Sequence, residues 1–92
     1  MDDVTRLLCD LVAIPSVNPM GRPLGGAGFL ERELSDYLER WFRRLGVPCV
    51  RQRVADGRDN LIARYDAPGA RRVLLFDVHQ DTVPTDGMTI EP

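Results

Sequence analysis

Apolar positions fall into three rhythms along this chain: helical spacing twice, then alternation, then one unbroken run. Val4, Leu7, Leu8, Leu11 and Val12 recur every three or four residues behind Asp2 and Asp3, which can cap a helix and complement its dipole. The spacing predicts a first helix running to about Ala13. Pro15 forbids easy continuation, and Ser16 to Gly28, with two more prolines and four glycines, reads as a long irregular loop. A second stripe follows at Leu30, Leu34, Tyr37, Leu38, Trp41 and Leu45, with Asp36 and Glu39 four residues before Arg40 and Arg43 on the wet face. Gly46 is placed to end this helix in a left-handed conformation, and Pro48 keeps it from resuming.

Val47 to Val54 alternates like a strand, Asp56 to Asp59 carries turn chemistry, and Asn60 to Tyr65 reads as a second strand. After a turn at Pro68-Gly69, Val73-Leu74-Leu75-Phe76 is continuously apolar, the pattern of a strand buried on both faces of a helix-covered sheet. The expected architecture is therefore α/β: two N-terminal helices followed by three strands, forming part of a larger helix-covered mixed sheet. Two helices cannot cover such a sheet alone. No internal repeat, low-complexity tract or domain boundary is visible, so residues 1–92 are read as a portion of a single domain.

Composition narrows the choice of partner. At 43% hydrophobic and 28% charged, the 92 residues suit a soluble globular segment. The net charge of −2 provides no positive footprint for nucleic acid or anionic lipid. All 12 basic residues are arginine, scattered along the chain, and we read the absence of lysine as base-composition bias of the gene. Cys9 and Cys49 have no cysteine or histidine at ligand spacing and are expected to be buried reduced thiols. The acidic N-terminus, followed by an apolar run that Asp10 interrupts, fits neither a signal peptide nor a membrane span, so the expected location is cytoplasmic.

Candidate chemistry is concentrated between Val73 and Pro84, where the only histidine stands at the end of the apolar run. Ligands of open α/β sheets collect beyond the carboxyl ends of strands, and extended geometry would put His79 and Asp81 on the same side. A neutral imidazole is a good zinc ligand, and its second ring nitrogen is commonly held by a carboxylate. Read from the residues alone, His-x-Asp fits two descriptions: a ligand with its orienting partner, or a capped strand end followed by a turn. Asp77 alternates onto the same face as His79 and Asp81, where it serves either the site or the surface.

The segment LLFDVHQDTVPTDGMTIEP resembles the first metal-binding motif of the zinc peptidase and deacylase family that includes acetylornithine deacetylase, succinyl-diaminopimelate desuccinylase, aminoacylase and carboxypeptidase G. The likeness extends upstream: LLCDLVAIPSVNP resembles the family's opening helix and loop, YLERWFRRLGVPC its second helix, and RDNLIARY the strand that follows. One departure is Val78, where the family commonly has glycine before the histidine; it bears on the local backbone path and the subfamily. The resemblance implies an α/β catalytic domain with two zinc ions, or cobalt in their place, that hydrolyses an amide bond of an N-acyl amino acid or peptide. It implies that His79 ligates one metal and that Asp81, the catalytic carboxylate of the pair, orients His79. Ser16, Asn18 and Asn60 match family loop and strand positions and are read as structural.

The family's bridging aspartate, its paired glutamates and its later ligands are expected beyond residue 92, which makes this chain an N-terminal portion of the catalytic domain, inactive alone. Zinc catalysis takes about three protein ligands and an open position, and one histidine supplies a single ligand. Substrate specificity is expected to reside in later residues, including a second domain, and the complete enzyme is allowed a homodimeric state. The contrasting expectation is a small non-catalytic folded or partner-binding domain whose metal motif is unused.

Overall fold

A computed structural model describes residues 1–91; Pro92, the last residue of the motif-bearing segment, lies outside them. The chain forms two helices, α1 (Asp3–Ala13) and α2 (Arg32–Arg44), then two strands, β1 (Cys49–Ala55) and β2 (Arg58–Ala63), a mixed α and β composition.

Helix α1 begins where expected because the Asp2 side chain accepts the Thr5 backbone N–H at 2.7 Å, satisfying one of the donors that a helix start leaves unpaired. Its apolar stripe is divided. Leu7 and Leu11 are half-buried, whereas Val4, Leu8 and Val12 are exposed. Cys9 is exposed as well, contrary to the expectation of two buried thiols; only Cys49 is buried, and both are free. The reason is that α1 buries no residue completely.

The cap has a pH signature. The Thr5 backbone bond holds the Asp2 carboxyl below its ordinary range. A group with a lowered folded-state pKa contributes stability above its unfolded pKa and loses it as pH falls through the folded value. We expect the Thr5 amide resonance to stay constant from neutral pH down to about 5 and to move as Asp2 protonates below about 4. A Thr5 amide that ignores pH across that range would show that the carboxylate does not cap the helix.

Helix α2 starts two residues later than its apolar stripe. Leu30 lies outside it with φ +66, its N–H bonded to the Val17 carbonyl at 2.9 Å. That bond, in an unusual backbone region for leucine, ties the start of α2 to the long loop. At the other end Gly46 takes φ +73 and its N–H reaches the Arg43 carbonyl, so the stop signal operates as read.

The strands pair antiparallel from Cys49↔Ala63 to Ala55↔Arg58 across the two-residue turn Asp56-Gly57, with an irregularity between Arg53 and Ala55. Gly57 supplies the positive φ, +70, that such a turn requires. The hairpin packs on α2, where Leu34 and Cys49 form the small buried core. Arg51 seals the seam between hairpin and helix, reaching Asp36 at 2.8 Å, Glu39 at 3.2 Å and Asp59 at 3.1 Å.

The third strand does not form. Val73 to Phe76 joins no strand among the described residues, and its side chains are exposed, Leu75 to 81%. The physical reason is lack of cover: a doubly buried strand needs neighbours on both edges and layers on both faces, and the sheet here has two strands. His79 therefore follows an exposed run instead of a buried strand. Among the described residues, no helix is long and apolar enough to cross a membrane.

Candidate functional site

Although the apolar run is uncovered, the segment after it is held in place by the loop that follows α1. Val17 bridges Phe29 on one side and Thr82 on the other, both in parallel sense. The Thr82 N–H donates to the Ser16 carbonyl at 3.0 Å, and the Asn18 N–H donates to the Thr82 carbonyl at 2.8 Å. The long irregular loop is thus the partner of the motif-bearing segment.

These bonds put His79, Gln80 and Asp81 beside Arg58, Asp59 and Asn60 of β2, along an open groove of about 370 Å³ that Glu31 also lines. The His79 ring is 86% exposed and Asp81 29%. His79 Nδ1 lies 2.9 Å from the Asp81 carbonyl oxygen and 3.1 Å from Asp81 Oδ1. Both neighbours only accept hydrogen bonds. Nδ1 must therefore carry the proton, which in the neutral ring leaves the lone pair on the solvent-facing Nε2.

Asp81 is itself fixed. Asn18 Nδ2 donates to Asp81 Oδ2 at 2.8 Å, leaving Oδ1 for the imidazole. That bond from Asn18 is the main cause that holds the Asp81 carboxyl below its ordinary range, with partial burial opposing it and His79 adding to it. Arg58 Nη2 stands 3.9 Å from the same Oδ2, its guanidinium engaged mainly by the buried Glu31. The pair with Glu31 also raises the Arg58 pKa further.

Of the residues singled out from sequence, the structure brings His79, Asp81 and Asn18 into one bonded chain. Ser16 is fully buried and donates to the Gln80 carbonyl at 2.9 Å. Asn60 donates across the hairpin to Gln52 and Asp77 is exposed, so neither joins the pair. Glu31, Ser35, Arg58 and Gln80 were not foreseen. Ser35 carried the one usable signal, a small residue between Leu34 and Leu38 on the inward side of α2.

No group of three or more metal-holding side chains occurs among the described residues. The donors present fit one ligand of a metal site: Nε2 of His79 is free, while both Asp81 carboxylate oxygens have partners. Compared with protein-family models, curated proteins and solved structures, the chain matches none.

Proposed function

We propose that this chain contributes the first metal-binding motif of a zinc-dependent amidohydrolase acting on N-acyl amino acids or peptides, in which His79 ligates one metal through Nε2 and Asp81 orients it. The observation that carries this reading is the polarity of the pair. An exposed imidazole has its Nδ1–H committed to acceptors on Asp81, which leaves its other nitrogen open to solvent. Ligating histidines are usually held in this manner, with the partner fixing tautomer and raising basicity.

When bound, a zinc or cobalt pair would supply an activated water and polarise the amide carbonyl. This chain's own part is to hold and aim the imidazole. Asn18 keeps the Asp81 carboxylate ionised and turned. The remaining ligands and the general base must come from residues other than these, since one imidazole leaves a divalent ion mostly solvated. Small-molecule substrates suit the groove, which residues 78–81 and the side of β2 line and leave open to solvent.

The test uses the solitary histidine as its own reporter. Titrating cobalt(II) into the chain should broaden the His79 ring signals at concentrations that leave the Trp41 ring untouched. The imidazole nitrogen shifts should place the proton on Nδ1. Broadening that is no greater at His79 than at exposed carboxylates such as Glu33 would reject the ligand assignment.

A further inference from the structure

Gln80 stands between the two residues of the pair, and every polar group on its side chain, together with its carbonyl, is tied to a different part of the fold. Its Oε1 accepts from Ser35 Oγ of α2 at 2.9 Å, its Nε2 donates to the Asp59 carbonyl of β2 at 3.4 Å, and its carbonyl accepts from Ser16 Oγ at 2.9 Å. The two serines are the most completely buried of the described residues, Ser35 at 0% and Ser16 at 1% exposure. In a chain whose apolar core is small, burying two hydroxyls is costly unless both are bonded. Both are bonded to the same residue.

Alternation explains what this does for the neighbours. Alternation along extended backbone turns the side chains of residues 79 and 81 away from the Ser35 and Asp59 partners of Gln80, and all three residues border the groove. The residues before 79 have no comparable anchor: Val73 to Phe76 and Val78 are exposed. We propose that Gln80 is the positioning residue of the His79–Asp81 pair, an inward plug, locked by Ser35 and Ser16, that sets the direction in which the imidazole is presented. In this role it acts through His79 and Asp81 and is not itself a ligand. This inference rests on the metal-ligand reading of His79, but its main readout does not.

The experiment compares the full chain with Gln80→Met, which keeps the length and removes both side-chain bonds, and with Ser35→Ala, which removes the principal bond from the other end. The imidazole nitrogen shifts report the tautomer, and cobalt(II)-induced broadening of the same ring reports ligation. In the parent chain the proton should sit on Nδ1. In each variant it should redistribute toward the Nε2–H form that predominates in a free imidazole, and cobalt(II) should bind His79 about tenfold more weakly. The double variant should lose no more than Gln80→Met alone, since the bond that Ser35→Ala removes is one of the two that Gln80→Met removes. Amide shifts of β1 and β2 that stay at parent values show that the hairpin has survived. A variant that loses the hairpin is replaced by Gln80→Glu, which retains the acceptor for Ser35 and should keep the parent tautomer. An unchanged tautomer in Gln80→Met with the hairpin intact overturns the positioning role. A parent chain with the tautomer as described but without selective cobalt(II) broadening overturns the ligand reading instead, so the two failures are distinct.

Discussion

Under the proposed function, replacing His79 with alanine in the metal-loaded hydrolase should remove one metal ion per site and bring hydrolysis of N-acetyl amino acids down to background. The imidazole is the one ligand this chain supplies under the proposed function, and the carboxylates that line the groove with it already have partners. Asp81 is committed to Asn18 and the ring, and Glu31 is committed to Arg58. Asp81→Ala should be milder. The Asp81 main-chain carbonyl also faces Nδ1, at 2.9 Å, and survives the substitution, so the ring keeps one acceptor. A loss of about tenfold to a hundredfold in metal affinity or rate is expected, the usual range for a partner of a ligand. Elemental analysis together with turnover separates the two variants. Full activity in His79→Ala would end the metallohydrolase reading, and equal metal loss in both variants would mean that Asp81 is a ligand in its own right.

The second large effect concerns the 92 residues by themselves, which should associate and melt without a sharp transition, and should show no amide hydrolysis with zinc or cobalt added. Val73 to Phe76 and Val78 form an exposed apolar segment, and the α1 stripe of Val4, Leu8 and Val12 is exposed too. Such segments recruit other chains through unpaired backbone and apolar contact. Substitution provides a sharp contrast. Leu34 is buried, so Leu34→Ala should cost roughly 2–5 kcal/mol and unfold a domain with so small a core. Leu75→Ala should stay within about 0.5 kcal/mol, as surface changes do, and Leu75→Lys should raise solubility without shifting the hairpin signals. Light scattering and calorimetry check both. A monomer with a cooperative melt and metal-dependent turnover would show that these residues are an enzyme in themselves.

That contrast also marks where the sequence could be read. The helices and the hairpin were legible because their determinants are local: an Asp2 cap, a Gly46 stop, the Asp56-Gly57 turn and apolar spacing between them. Their boundaries moved by one or two residues. Val73 to Phe76 was not legible in the same sense. An apolar run states a preference for cover, and whether cover exists depends on the rest of the fold. His79 and Asp81 could be singled out because a spacing of two suffices to bring them together. Gln80 could not, because its meaning depends on bonds to Ser16 and Ser35, 64 and 45 residues away, that exist only once the chain closes around it.

The closure itself has a kinetic consequence. Ser16 and Gln80 are 64 residues apart, and joining chain ends at that distance costs roughly 4 kcal/mol in loop entropy from the length-dependent contribution alone. The helix and hairpin contacts between them shorten that loop only after they have formed. The segment bearing His79 is therefore expected to dock after the hairpin has formed and to open before it. Its docking bonds, at the amides of Asn18 and Thr82, should exchange with solvent deuterium through local opening, ahead of the amides that pair β1 with β2. The histidine proposed as a ligand is thus carried on a joint that closes late, and any ligand that grips it from the groove would also act as a latch on the N-terminal loop.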